Sequence, residues 1–273
     1  MNKVAVILTV YSNDSYHDFN EAITSLYLQS DHSFDIFVQE DGLVNSKIHD
    51  FLTNELKEKK IKFLGDRPKN LGFDYSLNEL IGIVMNLDYE YIARMDADDI
   101  SKPNRIEKQL IFMENNPSID VCGTYIQEFG DGFIYKKIVT YPLNHKDMFN
   151  FFKKRVPIAH VSSFFRRSYF VKAGLYKVDG HLNNGDTLMW MNGFMNGCNF
   201  ANLDFIGVKV RITRSFFNRR GGWKKTLADF NNRMLVNKNL HYGLMSYIYA
   251  IFGAVINILP ARVKKYAYIY LRK

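Results

Sequence analysis

The chain has 273 residues, with 36 Lys and Arg against 28 Asp and Glu, and a formal net charge of +8. Hydrophobic residues make up 47% and charged residues 23%, which is ordinary for a globular protein and excludes intrinsic disorder. The length suits one large domain, or one domain with an appendage. The two cysteines, Cys122 and Cys198, form neither a metal-binding spacing nor a disulfide framework, and we expect buried thiols in a reducing compartment.

The positive charge is concentrated toward the C-terminal end. Residues 205–273 hold 14 Lys and Arg but one acidic residue, Asp229, so this segment carries +13 and residues 1–204 carry −5. A basic segment suggests an anionic partner, either nucleic acid or a membrane surface. A role in solubility alone could also explain the positive charge. It is the weaker explanation, because the segment is also rich in aromatic residues.

The first 115 residues alternate strands with helices. Residues 4–10 form a continuous β-branched and apolar run, which is typical of a strand buried on both faces of a parallel sheet. Nothing in this start indicates a signal peptide. Four strand–helix repeats predict a doubly wound α/β sheet. The predicted strands are 4–10, 35–39, 61–64 and 91–95, and the predicted helices are 18–30, 46–59, 74–85 and 103–115, with Pro103 at the first helical position.

Three carboxylates, Asp96, Asp98 and Asp99, follow the fourth predicted strand within four positions. Unpaired carboxylates this close repel one another, and a cation among them removes the penalty. Oxygen ligands of this kind suit Mg²⁺ or Mn²⁺, which commonly bind substrate phosphates as well. We interpret the stretch as a metal–diphosphate site; the alternative is a solvated acidic turn that caps the next helix. In such sheets ligands bind at the carboxyl ends of the strands, where Asp14 and Asp41 are also predicted to lie.

After residue 120 the regular alternation ends. The sequence predicts two paired strands at 121–129 and 133–139, joined by a glycine-containing turn. It further predicts a helix at 144–154, a loop leading into a strand across 157–165, a helix from Asp186 to about 196, a strand at 208–213 and a long helix at 223–240.

The stretch 244–259 contains no charged residue in 16 positions, which is short for a transmembrane helix of about 20 residues. Pro260 follows it, and basic residues then alternate with Tyr266, Tyr268 and Tyr270. Apolar surface beside Tyr and Lys or Arg is typical of an interfacial, monotopic segment. The alternative is a helical hairpin that packs on the core. Nucleic-acid binding would leave the apolar run without a role.

Several motifs, in this order, resemble family 2 glycosyltransferases with the GT-A fold. They are the strand and loop at 6–12, Glu40-Asp41-Gly42, the turn Asn70-Leu71-Gly72 through Asn78, Asp96-Ala97-Asp98-Asp99, and then Pro103, Arg105 and Gln109. The resemblance covers residues 3 to about 215, and the common order of the motifs makes it specific. Within this family the chain resembles bacterial O-antigen, capsule and exopolysaccharide glycosyltransferases.

The resemblance implies a catalytic domain at 1–215 with a Rossmann-like, mostly parallel central sheet and flanking helices. Its nucleotide-binding half would be 1–115 and its acceptor-binding half 116–215. Residues 216–273 would form a basic, aromatic helical extension that associates with a membrane.

The resemblance also implies which residues bind the donor. Asp98 and Asp99 would hold Mn²⁺ or Mg²⁺, which stabilises the charge that grows on a diphosphate leaving group. Asp41 would accept a hydrogen bond from uracil N3–H, although it could instead be a turn former before Gly42. Asp96 would contact the ribose or position the loop. The full set of expected nucleotide contacts is Thr9, Tyr11, Asp41, Asn70, Gly72, Asp96, Ala97 and Asp98.

The catalytic base is expected in the second half of the chain. Gly185-Asp186-Thr187-Leu188-Met189-Trp190 resembles the family segment (Glu/Gly)-Asp-x-x-x-Trp, so the resemblance assigns Asp186 as the base that deprotonates the acceptor hydroxyl during inversion. Gly185 replaces the more common Glu. Asp186 could also cap the helix that follows. Further acceptor or diphosphate contacts are expected from His160, Ser162, Trp190, Arg211, Arg219 and Arg220, although His160 could be structural and Arg219-Arg220 a simple surface loop.

The resemblance implies inverting transfer of a sugar from a nucleotide donor, expected to be a UDP-sugar, to a lipid-diphosphate-linked saccharide. The chain is expected at the cytoplasmic face of the inner membrane, peripheral or monotopic, with no nucleic-acid partner. One alternative is a nucleotidyltransferase that acts on sugar phosphates, but residues 11–14 lack the Gly-rich, basic loop of that class. Another is a non-catalytic sugar-binding protein, against which the intact Asp98, Asp99 and Asp186 argue.

Overall fold

The computed structural model describes residues 3–130, 137–178, 185–213 and 222–259. Its strands are β1 (Val4–Tyr11), β2 (Phe34–Asp41), β3 (Phe63–Gly65), β4 (Tyr91–Arg94), β5 (Ile100–Ser101), β6 (Val121–Phe129), β7 (Ile138–Val139), β8 (Phe164–Arg166) and β9 (Phe200–Arg211). Its helices are α1 (Tyr16–Tyr27), α2 (Ser46–Lys57), α3 (Phe73–Met85), α4 (Arg105–Asn115), α5 (His145–Phe152), α6 (Arg167–Ala173), α7 (Gly185–Met195), α8 (Trp223–Asn239) and α9 (Leu244–Ile258).

The described strands join one sheet, whose main path is β3-β2-β1-β4-β8-β6-β9-β5, with β7 paired to β6. β1 pairs in parallel with β2 and β4, and β2 pairs in parallel with β3. These four strands and the helices between them confirm the predicted α/β half. Because all four run the same way, the turns after β1, β2 and β4 meet at one edge of the sheet.

Strand β1 is buried on both faces, as its apolar run predicts. Val6 and Leu8 belong to the core on one side of the sheet, where Phe19 of α1 packs. Ile7 belongs to the core on the other side, where Leu77 of α3 packs. Successive side chains of a strand point to opposite faces, so this single run supports two hydrophobic cores.

The second half of the sheet is mixed. β8 runs antiparallel to both β4 and β6, and β9 runs parallel to β6 but antiparallel to β5. β6 and β7 pair antiparallel, with Ile126 opposite Val139, which confirms the predicted strand pair; the turn residues 131–136 lie outside the described residues. β9 is twice as long as predicted, because its first half carries polar residues that hide the strand pattern.

One local prediction is wrong: Pro103 is not the first residue of α4, because the helix begins at Arg105 after the N-cap Asn104. The predicted loop leading into a strand at 157–165 contains a 3₁₀ turn, His160–Ser162, and its strand is β8. Helix α6, whose first residue Arg167 directly follows β8, is not indicated by the sequence pattern.

The two C-terminal helices pack on the second half of the domain. The Tyr242 hydroxyl, between α8 and α9, donates to the Phe149 carbonyl at 2.6 Å, and Arg233 of α8 donates to the Phe152 carbonyl at 2.7 Å. Among the described helices, none combines the length and the apolar character needed to cross a membrane. The predicted basic and tyrosine-rich segment 260–273 lies outside the described residues.

Candidate active site

A cavity of about 500 Å³ opens at the carboxyl ends of β1 and β2. Residues from both halves of the chain meet there, including parts of the first two strands, the start of α3, the 3₁₀ turn and the start of α7. Its lining consists of Thr9, Tyr11, Asp41, Asn70, Leu71, Gly72, Phe73, Asp74, Tyr75, His160, Val178, Gly185 and Asp186.

Asp41 organises one end of the cavity. It ends β2 directly opposite Tyr11 of β1 and is 4% exposed. Its Oδ1 accepts hydrogen bonds from Arg67 Nη2 at 2.6 Å and from the Leu71 amide at 2.8 Å. Its Oδ2 accepts from the Gly72 amide at 3.0 Å. A carboxylate oxygen has two lone pairs, so Oδ2 keeps one for a ligand donor such as a base N–H.

The turn before α3 is tied to the same residue. Asn70 donates from its side-chain amide to the Asp41 carbonyl at 3.0 Å. Gly72 has φ of 102°, a left-handed value that favours glycine. A Cβ on Gly42 would lie 2.7 Å from the Asn70 backbone nitrogen, which explains the glycine there. The predicted motifs at 40–42 and 70–72 are therefore one structural unit.

The acidic loop Asp96–Asp99 is held between β4 and β5. Arg105 of α4 is fully buried and donates from Nη2 to the Arg94 carbonyl at 2.8 Å. Gln109, one turn further on, donates to the Ser162 carbonyl at 2.8 Å. These two side chains therefore bind the backbone of β4, which leads into the acidic loop, and of the 3₁₀ turn. Their contacts explain why an arginine and a glutamine follow the acidic motif at these positions.

The three carboxylates of the loop come together as predicted. One oxygen each of Asp96, Asp98 and Asp99 lies within 4.8 Å of the others. Burial, together with the charges of Asp96 and Asp98, raises the pKa of Asp99 well above its usual range. A cluster of oxygen ligands with one desolvated carboxyl fits a divalent cation, because a cation removes the mutual repulsion.

Arg211 supports this loop from β9. Its backbone amide donates to Asp99 Oδ1 at 2.7 Å and its Nε donates to the Asp98 carbonyl at 2.9 Å. Its guanidinium also forms ion pairs with Glu21 and Asp18. The expected contact with a diphosphate would require some of these bonds to change. The other two predicted arginines, Arg219 and Arg220, lie outside the described residues.

Asp186 lies in the first turn of α7 and lines the same cavity. Its Oδ1 accepts from the Thr187 amide at 2.7 Å, so the side chain is fixed to the helix start while it lines the cavity. Asp186 and Asp41, 145 positions apart in sequence, therefore face one space.

His160 also lines the cavity. Its Nε2 lies 2.6 Å from the Tyr176 hydroxyl. Burial, and to a lesser extent the charge of Arg94, lower the pKa of His160 well below its usual range. The ring is therefore neutral at physiological pH.

Two predicted acceptor contacts are corrected. Trp190 is fully buried and stacks on Phe165 with the ring centroids 5.8 Å apart, so it supports α7 and does not reach the cavity. Ser162 is also fully buried; its hydroxyl donates to the Ala159 carbonyl at 2.9 Å and accepts from the Thr124 amide at 3.0 Å.

Sequence reasoning missed three residues at the site: Arg67, Asp74 and Tyr176. Arg67 lies in the loop before Asn70 and could have been noticed only as a basic residue near that turn. Asp74 follows Gly72 by two positions and was interpreted as part of a helix start. Tyr176 carries no local signal, because it meets His160 only in the folded chain.

Comparison with known proteins gives consistent findings. The profile described as Glycosyl transferase family 2 matches residues 5–174. The amylovoran biosynthesis glycosyltransferase AmsE of Erwinia amylovora is 26% identical over 266 residues, with 97% of each chain covered. The UDP-Gal:alpha-D-GlcNAc-diphosphoundecaprenol beta-1,3-galactosyltransferase of Escherichia coli is 25% identical over 271 residues, covering 97% of this chain and 95% of that one.

A solved structure shares the fold. The mannosyltransferase PcManGT from Pyrobaculum calidifontis, in complex with GDP-Man and Mn²⁺, superposes with a TM-score of 0.63 at 12% identity, over 98% of this chain and 80% of that chain. This likeness confirms the expected GT-A fold.

Proposed function

We propose a specific reaction for this chain, which belongs to glycosyl transferase family 2: inverting transfer of a sugar from a UDP-sugar to a saccharide carried on a membrane lipid diphosphate. The observation that carries the proposal is the single cavity that both Asp41 and Asp186 line. The two relatives described above support it, one by its role in amylovoran biosynthesis and one by the UDP-Gal donor and diphosphoundecaprenol acceptor in its name.

The nucleotide binds at the Asp41 end in this proposal. Thr9, Tyr11, Asn70 and Gly72 line that end, and the free lone pair of Asp41 Oδ2 accepts the uracil N3–H. A buried acceptor that meets a base N–H discriminates against bases without a donor at that position. The Asp96–Asp98 loop, with Ala97 at its centre, is proposed to contact the ribose and phosphates.

Asp98 and Asp99 are proposed to hold Mn²⁺ or Mg²⁺, and Asp96 to contact the ribose or orient the loop through its ion pair with Arg94. When bound, the cation would stabilise the negative charge of the departing diphosphate. Support comes from the carboxylate cluster and from the Mn²⁺ named in the PcManGT complex. Arg211 and Arg105 keep the cluster in place.

Asp186 acts as the base. Because Asp186 and Asp41 line one cavity, the proposal puts the donor sugar between the nucleotide at Asp41 and the acceptor hydroxyl at Asp186. The carboxylate accepts the hydroxyl proton as the new bond forms on the opposite side of the anomeric carbon, which inverts that centre. His160 is neutral, so it can form a hydrogen bond with the acceptor without adding a charge to the site.

The acceptor is proposed to reach the site from a membrane surface, at the cytoplasmic face of the inner membrane. Helix α9 supports this assignment, because one side of it is apolar and uncovered by the described residues. The exposed side chains on that side are Leu244, Met245, Ile248, Ile251, Phe252, Val255 and Ile258. Such a surface suits the interfacial region of a bilayer.

A transfer assay tests the proposal. The full chain is incubated with Mn²⁺, a panel of UDP- and GDP-sugars, and a synthetic polyprenyl-diphosphate-linked N-acetylglucosamine, and the product is analysed by mass spectrometry and NMR. We expect a disaccharide lipid with inverted anomeric configuration from a UDP-sugar. A retained configuration, or formation of a nucleotide sugar from a sugar phosphate, would contradict the proposal.

A further inference from the structure

The carboxyl group of Asp74 lies in the cavity, and the described residues supply no hydrogen-bond donor to it. Asp74 is the second residue of α3 and lines the cavity beside Phe73 and Tyr75. Within the described part of the chain, no N–H or O–H group donates to its carboxyl. A carboxyl that has lost most of its water and gained no donor is unfavourable, so a ligand group can improve its surroundings.

Helix α7 makes room for this carboxyl. A Cβ placed on Gly185 would lie 2.3 Å from Asp74 Oδ2 and 2.4 Å from both Oδ1 and Cγ. Any side chain at position 185 would therefore displace the Asp74 carboxyl. The close approach brings the carboxyl next to the start of α7, where Asp186 also faces the cavity.

The charges around Asp74 come from three elements. Burial, and to a lesser extent the charge of Asp186, raise the pKa of Asp74 to about 7, and Arg94 at the end of β4 opposes the shift. Tyr176, which follows α6, is buried; this burial, together with the charge of Asp74, raises the pKa of its phenol. The carboxyl of Asp74 therefore holds its proton to a higher pH than an ordinary aspartate.

We propose that Asp74 accepts a hydrogen bond from a hydroxyl of the donor sugar and thereby contributes to the choice of donor. This inference rests on the proposed function. Its position argues for the donor sugar: Gly72, two residues before Asp74, binds Asp41, the proposed nucleotide contact, and Gly185, next to Asp186, closely approaches the Asp74 carboxyl. In the proposed reaction the donor sugar lies between the nucleotide and the base.

The proposal has a thermodynamic signature. A hydroxyl that donates to Asp74 favours the ionised carboxylate, so sugar binding lowers the proton affinity of Asp74 and releases a proton. At pH 7 we expect each bound donor to release a fraction of a proton. Affinity for the sugar therefore rises as pH increases from 6 to 8.

The experiment is titration calorimetry on the full chain, pre-saturated with Mn²⁺, in two buffers with different ionisation enthalpies. The probes are UDP, UDP-glucose, UDP-galactose, UDP-N-acetylglucosamine and GDP-mannose. The variants are Asp74→Asn, which keeps the shape but removes the charge, and Gly185→Ala, which displaces the carboxyl. Asp88→Asn, an exposed carboxyl just beyond α3, is the matched control.

We expect at least one nucleotide sugar to release a proton with the parent chain and with Asp88→Asn but not with Asp74→Asn, and to bind about tenfold more weakly to Asp74→Asn. Gly185→Ala should weaken it similarly. UDP should bind all four proteins within about twofold. Unchanged affinity and proton release in Asp74→Asn, or absence of proton release with all four nucleotide sugars, would overturn the inference. Failure of UDP itself to bind would instead overturn the proposed function.

Discussion

Nη2 of Arg67 lies 2.6 Å from Oδ1 of Asp41, an ion pair in which both side chains are largely buried. Arg67 also pairs with Glu79 and donates to the Ser76 hydroxyl of α3. One guanidinium therefore connects the end of β2, the turn at 70–72 and the first turns of the next helix. This explains how two motifs separated by about thirty residues form one end of the cavity.

Replacement of Arg67 should damage nucleotide binding. Arg67→Ala leaves a buried carboxylate without its cation, and this typically costs about 3 kcal/mol. We expect UDP affinity in the presence of Mn²⁺ to fall at least tenfold and the melting temperature to fall. Lys69→Ala, an exposed cation in the same loop, is the control and should change neither quantity. Normal UDP affinity in Arg67→Ala would exclude Asp41 as the organiser of the site.

Removal of one carboxylate from the acidic loop should abolish metal-linked binding. In Asp99→Ala, UDP affinity in the presence of Mn²⁺ should fall to the level that the parent chain shows in EDTA. Calorimetry with and without EDTA measures both values. If Mn²⁺ still improves UDP binding in the variant as much as in the parent, Asp99 is not a ligand.

The affinity of the protein for Mn²⁺ should increase with pH. Burial and neighbouring charges raise the pKa of Asp99, so in the metal-free protein it holds a proton to higher pH than usual. A cation must displace this proton, and Mn²⁺ affinity should therefore increase as pH rises. An Mn²⁺ titration between pH 6 and 8 that shows flat or decreasing affinity would contradict this reasoning.

Separate measurements of Mn²⁺ binding and UDP binding can decide the role of Arg211. If it supports the loop through the Asp98 carbonyl, Arg211→Ala should weaken Mn²⁺ binding even without nucleotide, by about tenfold or more. If instead it contacts the diphosphate directly, Mn²⁺ binding alone should stay unchanged and only UDP affinity should fall. Calorimetry of Mn²⁺ alone separates these results, and we expect the first.

The exposed side of α9 should mediate membrane binding. Substitution of Ile251 and Phe252 by Lys places two charges on a surface that would otherwise lie among lipid headgroups and acyl chains. Co-sedimentation with anionic phosphatidylglycerol vesicles should decrease strongly. Val171→Lys, at a similarly exposed apolar site on α6, is the control. Equal sedimentation of the double variant and the parent would contradict the membrane assignment of α9.

The parallel half of the fold was predictable because its local signals agree with its tertiary environment. The apolar run of β1 faces a hydrophobic core on both sides, so burial leaves a continuous pattern in the sequence. The first half of β9 gave no such pattern, because Asn202 and Asp204 interrupt it. Asn202 is in fact buried and donates from its side-chain amide to the Pro157 carbonyl at 2.9 Å, a long-range partner that no local window reveals.

Some residues of the candidate site could likewise be predicted from the sequence, whereas others could not. Asp41, the acidic loop and Asp186 stand in recognisable motifs, and the fold brings Asp41 and Asp186 to one cavity. The predicted acceptor contact of Trp190 is wrong, because an aromatic residue one turn from a site residue can point either into the site or into the core. The relation between Asp74 and Gly185 could not be predicted, because it depends on how closely α7 approaches α3.

The most direct test of the account is the Asp186→Asn variant, measured in parallel for UDP binding with Mn²⁺ and for sugar transfer to the lipid-linked acceptor. The variant keeps the shape of the side chain and its bond to the Thr187 amide but cannot accept the acceptor proton. We predict UDP affinity within about twofold of the parent and a loss of transfer rate of at least about a hundredfold. Transfer at the parental rate would contradict the assignment of Asp186 as the base.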